Sequence, residues 1–213
     1  MERHPGLIID NCSSGGRRLD LETISRSIPL WRSDFQCWPD FDVTSQQTQT
    51  HGLGMWVPLS TGCCDRPDTY AFRSALGPGI VVTTNIFEQG PSDHFPPEWG
   101  REMLGQLKQL RPYFHGDFYP LLDWSLSHEM WAAWQYDRPD LGEGMVVAFR
   151  RPKSPFTTME AGLQGLEAEA AYELHDLDSG ACVTLSGAAL MDDGLELAIG
   201  DRPGTKVLVY RKV

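Results

Sequence analysis

Gly6-Leu7-Ile8-Ile9-Asp10-Asn11-Cys12-Ser13-Ser14-Gly15-Gly16-Arg17-Arg18-Leu19-Asp20 sets an apolar run of strand length directly before a glycine-rich polar loop. Such a run, closed by turn residues, reads as a buried strand. The residues that follow, Asp20-Leu21-Glu22-Thr23-Ile24-Ser25-Arg26, open with a helix-capping Asp and keep a polar helical register. Strand, loop and helix in that order make one β/α unit of a parallel sheet.

The pattern recurs along the first half of the chain. Pro29-Leu30-Trp31 begins a second strand that ends at Arg32-Ser33-Asp34, and the polar stretch Ser45-Gln46-Gln47-Thr48 suits a short helix. Met55-Trp56-Val57-Pro58-Leu59 is expected as the third strand, with a helix over 68–73 behind it. Gly79-Ile80-Val81-Val82-Thr83-Thr84 is apolar and β-branched enough for a fourth buried strand. A long helix should begin near Pro96-Pro97-Glu98, where proline is tolerated in a first turn, and stop before Pro112. It carries Trp99, Met103, Leu107 and Leu110 at helical spacing.

Beyond Gly116 the segments become short and alternating with turns between them, as in Trp131-Ala132-Ala133-Trp134, Gly144-Met145-Val146-Val147-Ala148-Phe149 and Lys206-Val207-Leu208-Val209-Tyr210. That spacing points to an antiparallel sandwich. The expected organisation is therefore α/β plus all-β, with β/α units over residues 1–115 and a β-sandwich over 116–213. No repeat or flexible linker separates them, so direct packing is expected.

Composition narrows the function. A chain of 213 residues with 41% hydrophobic residues can bury a core, and a formal net charge of -11 without basic clusters disfavours nucleic acid. Met1-Glu2-Arg3-His4-Pro5 carries no export signal, and no apolar run is long enough to cross a membrane. Five cysteines, Cys12, Cys37, Cys63, Cys64 and Cys182, are odd in number and lack the paired spacing of structural zinc, so reduced thiols and a cytoplasmic location are expected. No cofactor or metal is called for, and His51, His94, His115, His128 and His175 share no ligand spacing.

In β/α folds the polar residues after each strand are where chemistry collects. The Gly15-Gly16 loop can cradle an anion or simply make a tight turn, and no nucleotide-binding glycine pattern surrounds it. Asp34 suits either a helix cap or an acid. Trp31, Trp38 and Trp56 suit sugar stacking or core packing, whereas Trp131 and Trp134, in the sandwich, are expected in the core.

Taken together these segments resemble the retaining α-galactosidases of glycoside hydrolase family 36, in which a Cys-x-Ser-Gly-Gly-x-Arg-x-Asp loop precedes a Trp-x-Ser-Asp strand end. The matching residues are Cys12, Ser14, Gly15, Gly16, Arg18 and Asp20, then Trp31, Ser33 and Asp34, with Asp34 twenty-two positions after Cys12. The order of Trp56-Val57-Pro58-Leu59, the stretch from Arg73 to Gly79, the long helix and Gly116-Asp117-Phe118-Tyr119 is also similar.

The resemblance implies a partial (β/α)8 TIM barrel, its last four β/α units present, followed by the family's C-terminal β-sandwich. It makes Asp34 the general acid/base, and it makes Cys12, Ser14, Gly15, Gly16, Arg18, Asp20 and Trp31 the substrate-binding residues. The family's nucleophile is an Asp in a Lys-x-Asp motif on the fourth barrel strand, and no Lys-x-Asp occurs in this chain. A retaining glycosidase needs both carboxyls. The donor must also stay protonated near neutrality, which requires burial or a neighbouring carboxylate.

Two departures bear on the substrate: Arg17 replaces the family's third glycine, and Phe35-Gln36-Cys37 replaces a polar segment after the acid. The expected partner is an α-galactoside saccharide of the raffinose type, or an α-N-acetylgalactosaminide. A missing N-terminal barrel half, or a second copy, is expected to cover the open strand edges. The rival reading is a non-catalytic carbohydrate-binding or interaction protein derived from the family.

Overall fold

The computed structural model describes residues 3–12, 16–29, 32–38, 40–57, 59–83 and 96–213. The first half begins with two β/α/β crossovers. Strand β1 (Asp10–Asn11) leads through helix α1 (Leu21–Ile24) to strand β2 (Ile28–Pro29), which pairs with β1 in parallel. Helix α2 (Thr44–Leu53) then leads to strand β3 (Thr61–Cys64), helix α3 (Thr69–Ser74) and strand β4 (Gly79–Val82), with β3 and β4 again parallel. Both crossover helices start on side-chain caps, Asp20 accepting from Thr23 N at 2.9 Å and Asp68 from Ala71 N at 2.6 Å.

The third strand lies six residues beyond its expected start. Trp56 N and Val57 N both donate to Leu53 O, at 3.0 and 2.7 Å, so the apolar run from Met55 closes the end of α2 and does not extend. Met55 is 70% exposed there. A second difference concerns continuity: among the described residues the four strands make two separate parallel pairs, not one ladder, and no barrel wall is formed. Cys63 and Cys64 are fully buried on β3, and burial pushes the Cys64 thiol up to about 12.

Helix α4 (Pro97–Leu110) buries Met103, Leu107 and Leu110, as its spacing predicts, and runs on into a 3-10 turn over Arg111–His115. No described helix is long and apolar enough to cross a membrane.

The second half is antiparallel. Strands β5 (Asp117–Pro120), β6 (Ala132–Arg138), β7 (Glu143–Arg150), β9 (Ala171–Asp176), β10 (Cys182–Ser186) and β12 (Gly204–Lys212) form one sheet in the order β10-β9-β12-β7-β6-β5. Strands β8 (Thr158–Ala161) and β11 (Leu195–Ala198) form a second, two-stranded sheet.

Alternation along the strands builds both cores, because successive side chains point to opposite faces. Ala132, Trp134, Tyr136, Met145, Val147 and Phe149 face the α3, α4 and β3 layer. Ala133, Val146 and Ala148 face the small sheet, where Ala161, Leu195 and Leu197 meet them. The large sheet is thus the middle layer. Gly144 permits close pairing of β7 with its neighbours within the sheet: a Cβ there would stand 2.5 Å from Tyr136 O of β6 and against the Tyr210 ring of β12.

Two buried arginines tie the halves together. Arg73 on α3 donates to Asp178 Oδ1 at 2.6 Å and Oδ2 at 2.9 Å, in the turn between β9 and β10. Arg151 donates to Gln47 Oε1 on α2 at 3.0 Å and to the carbonyls of Ser125 and Ser127 at 2.8 and 2.9 Å. The halves are therefore held by an ion pair, Arg73 with Asp178, and by the neutral acceptors that surround the Arg151 guanidinium, as well as by apolar packing.

A pH dependence follows from the same turn. Burial pushes Asp176 upward, but the Lys206 ammonium at 2.5 Å and the amides of Asp178 and Ser179 outweigh it and hold the carboxyl at about 2, against an ordinary 3.8. A depressed carboxylate stabilises the fold above its unfolded pKa and loses that contribution as pH falls toward the folded value. On the order of 2 kcal/mol should disappear between pH 3.8 and 2. In urea titrations at stepped pH, Asp176→Asn should be less stable at neutrality and show a shallower acid decline.

Candidate functional site

Parallel pairing aligns the carboxyl ends of β1 and β2, since Asp10 is level with Ile28 and Asn11 with Pro29. The loop after Asn11 and the segment after Pro29 therefore leave the ladder at the same edge. Gly16 seals the contact between them: it has φ of 82°, and a Cβ would stand 2.5 Å from Arg32 O. No L side chain fits that space, so the glycine both turns the loop and lets it touch the Arg32–Asp34 segment. Asn11 Nδ2 adds a hydrogen bond to Ser27 Oγ at 2.6 Å, just ahead of β2.

Asp34 opens a 3-10 turn over Asp34–Cys37, and Ser33 caps that turn by accepting from Phe35 N at 3.2 Å. The cap is Ser33, which settles one of the alternatives open for Asp34. Asp34 itself is exposed, as are Cys12 and Arg18. Nothing in the described chain buries it or brings a second carboxyl up to it in an ion-pair or hydrogen-bond network.

Asp20 is engaged differently. Both its oxygens face Thr23, Oδ1 accepting from the amide and Oδ2 from the hydroxyl, each at 2.9 Å, and these bonds hold its carboxyl below the usual range. Its local work is to start α1. Ser14, Gly15 and Trp31 lie outside the described residues. Trp38 is 70% exposed and Trp56 is also exposed, so neither packs in a core, whereas Trp131 and Trp134 are buried as expected.

Arg32, visible in the sequence only as a polar residue at a strand end, has a role there that sequence inspection does not assign. It is buried between the strand end and α2, donates from Nη1 to Thr50 Oγ1 at 2.6 Å, and has its pKa pushed down to about 10 by burial, with Tyr136 opposing. Gln36, also buried, donates to Gln46 Oε1 at 2.6 Å, and Gln46 in turn grips Cys63 N and O of β3. Arg32 and Gln36 flank Asp34 in sequence and fix its turn from below. The signal was available in the i, i+4 placement of two polar residues between apolar ones, but the same pattern reads equally as a solvated face.

This geometry defines a class first: a strand-end polar edge of β/α units backed by an antiparallel sandwich. Residues 131–206 match the glycosyl hydrolase family 36 C-terminal domain. The chain as a whole resembles the C-terminal region of family 36 α-galactosidases. It is 23% identical over 223 aligned residues to the probable alpha-galactosidase C of Aspergillus terreus, covering 99% of this chain and 28% of that protein. Alpha-galactosidase 1 of Pediococcus pentosaceus is 24% identical over 159 residues, 68% of this chain and 20% of its own length.

Among solved structures, the family 36 α-galactosidase AgaA of Geobacillus stearothermophilus superposes with a TM-score of 0.75 at 21% identity, over 100% of this chain and 30% of that one. The galactosidase domain of the α-galactosidase-sucrose kinase AgaSK gives 0.73 at 20% identity, with the same coverage. The fold is therefore shared along the whole chain, and the chain spans under a third of the curated relatives it matches.

Proposed function

We propose that this chain is the acid/base-bearing portion of a retaining α-galactosidase: the last four β/α units of a (β/α)8 barrel followed by its C-terminal sandwich. One observation carries the reading. The loop holding Cys12 and Gly16 touches the segment holding Asp34 through Gly16 and the Arg32 carbonyl, at the carboxyl edge of two parallel strands. Barrel glycosidases assemble their sugar site at that edge. Asp34 would protonate the departing oxygen while an upstream Asp, absent here, attacks the anomeric carbon. Cys12, Ser14, Gly15, Gly16, Arg18, Asp20 and Trp31 would line the sugar subsite, with Asp20 acting through the helix it caps. The substrate class is a terminal α-galactoside.

Exposed apolar side chains support a partner for the β/α half. Leu7, Ile8 and Ile9 ahead of β1 are all exposed, Ile8 by 78%, and Ile28 and Val82 are exposed on the other strands. Apolar side chains left in water on and beside these strands are a cost that a neighbouring strand removes. The fitting partner is the N-terminal barrel half, supplied by the same or another polypeptide; a second copy would serve less completely.

A non-catalytic carbohydrate-binding role has its own support in the exposure of Asp34 and the lack of Lys-x-Asp. The two separate in one experiment. In a polypeptide that supplies the upstream strands, Asp34→Ala should slow hydrolysis of raffinose by about 10²- to 10⁴-fold while largely sparing aryl α-galactosides with very good leaving groups. Equal losses on both substrates would remove Asp34 from the acid role. No activity before mutation would favour binding alone.

A further inference from the structure

A cluster at the far edge of the sandwich belongs to none of the chemistry above. On β9, Glu173 and His175 are two residues apart and so share a face, and β10, the edge strand, sets Cys182 opposite His175. Their polar atoms converge: Cys182 Sγ lies 3.2 Å from Glu173 Oε1 and 3.7 Å from His175 Nε2, and those two atoms are 3.2 Å apart. Sequence inspection gives no hint of this, because the antiparallel turn between Asp176 and Cys182 makes the triad.

We propose that Glu173 Oε1, His175 Nε2 and Cys182 Sγ form a three-ligand site for a thiophilic divalent cation of the zinc class, with a fourth position open to water. The argument is geometric. Bonds of about 2.3 Å to sulfur and about 2.0–2.1 Å to nitrogen and oxygen, at tetrahedral angles, separate the donors by about 3.6 Å for sulfur to nitrogen, about 3.6 Å for sulfur to oxygen and about 3.4 Å for nitrogen to oxygen. The structure has 3.7, 3.2 and 3.2 Å. A shift of a few tenths of an ångström, within side-chain freedom on an exposed face, completes the match.

Two further features favour a site over a chance meeting of polar groups. The ligands sit on paired strands, so the ladder fixes their spacing before any ion arrives. Arg211 of β12 holds the other carboxylate oxygen of Glu173, Oε2, through Nε at 2.8 Å and Nη2 at 2.5 Å. That grip turns Oε1 toward the sulfur and the imidazole, the orienting role that outer-shell partners play in metal sites. The thiol now donates its proton to Glu173; on binding, the sulfur–metal bond replaces the S–H bond and the proton passes to solvent.

The test uses the full 213-residue chain, purified reduced and metal-free, titrated with Co²⁺ as a spectroscopic stand-in and with Zn²⁺ in competition. One Co²⁺ per chain should bind with a thiolate-to-cobalt charge-transfer band that Zn²⁺ abolishes. Cys182→Ser should remove the band, and His175→Ala and Glu173→Gln should each weaken binding by at least about 10- to 100-fold. Cys12→Ser, which changes the exposed thiol at the opposite end of the chain, should leave the band and the affinity intact; far-ultraviolet circular dichroism checks that every variant is folded. A band that survives Cys182→Ser, an affinity indifferent to both His175→Ala and Glu173→Gln, or no band in the unaltered chain would each overturn the site. None of these outcomes depends on the galactosidase reading.

Discussion

Incubated with an aryl α-galactoside, the purified chain should show no turnover above that of its Asp34→Ala variant. The expectation follows from the proposed division of labour. A retaining glycosidase needs a carboxylate to attack the anomeric carbon, and the motif that supplies it in the resembled family is not among these 213 residues. General acid help is worth about 10²- to 10⁴-fold, whereas enzymes commonly reach about 10⁶-fold or more. Adding a polypeptide that carries the upstream strands and the Lys-x-Asp should raise the rate by at least about 10³-fold, through the nucleophile and through completion of the sugar subsite. The same addition should shield the Leu7, Ile8 and Ile9 surface, read as lost binding of a hydrophobic dye. Turnover by the chain alone that vanishes in Asp34→Ala would place a nucleophile within it and end the half-site account.

How much of this was legible in the sequence differs by element. Helix α4 and the sandwich strands were readable because their periodicities, 3.6 and 2, are carried by large apolar residues whose burial drives the packing. Trp134 and Phe149 fall on one face of the sheet by simple alternation. The Met55–Leu59 run misled for a physical reason: apolar residues adjoining a helix end can cap it as readily as extend, and the two amides that bond Leu53 O decide the matter. The weak polarity contrast of α2 hid its burial, because Gln46, Gln47 and Thr50 are inside only by virtue of partners far along the chain. At the candidate site, the resemblance to family 36 supplied Cys12 to Asp34 as expectations, while the hold of Arg32 and Gln36 on that edge from below could be found only once α2 was seen to lie beneath it. The Glu173, His175 and Cys182 cluster was invisible for a related reason, being created by strand register and not by spacing.

The largest stability effect should come from Trp134→Ala. The indole is completely buried on β6, with its ring centroid 5.2 Å from that of Phe149, which in turn meets Tyr70 of α3 at 5.7 Å. Removing it opens a cavity in the layer joining the sheet to the helices, at a cost of about 3–5 kcal/mol against a total stability of about 5–15 kcal/mol. For a chain of this size that is a fall in Tm of roughly 6–20 °C. Trp134→Phe distinguishes the packing contribution from the polar one. The indole Nε1–H is buried without a hydrogen-bond partner, so Phe loses part of the contact area but also removes a desolvated donor. Its cost should be well under half that of Ala. Denaturant and thermal curves of the three proteins, followed by far- and near-ultraviolet circular dichroism, supply the comparison. Because Arg73 and Arg151 also bridge this layer, the Ala variant should still unfold in a single transition, only earlier. Two separated transitions would mean that the β/α half and the sandwich are stable independently, and a loss below about 1 kcal/mol would mean that the Trp134–Phe149–Tyr70 contact is not what joins them.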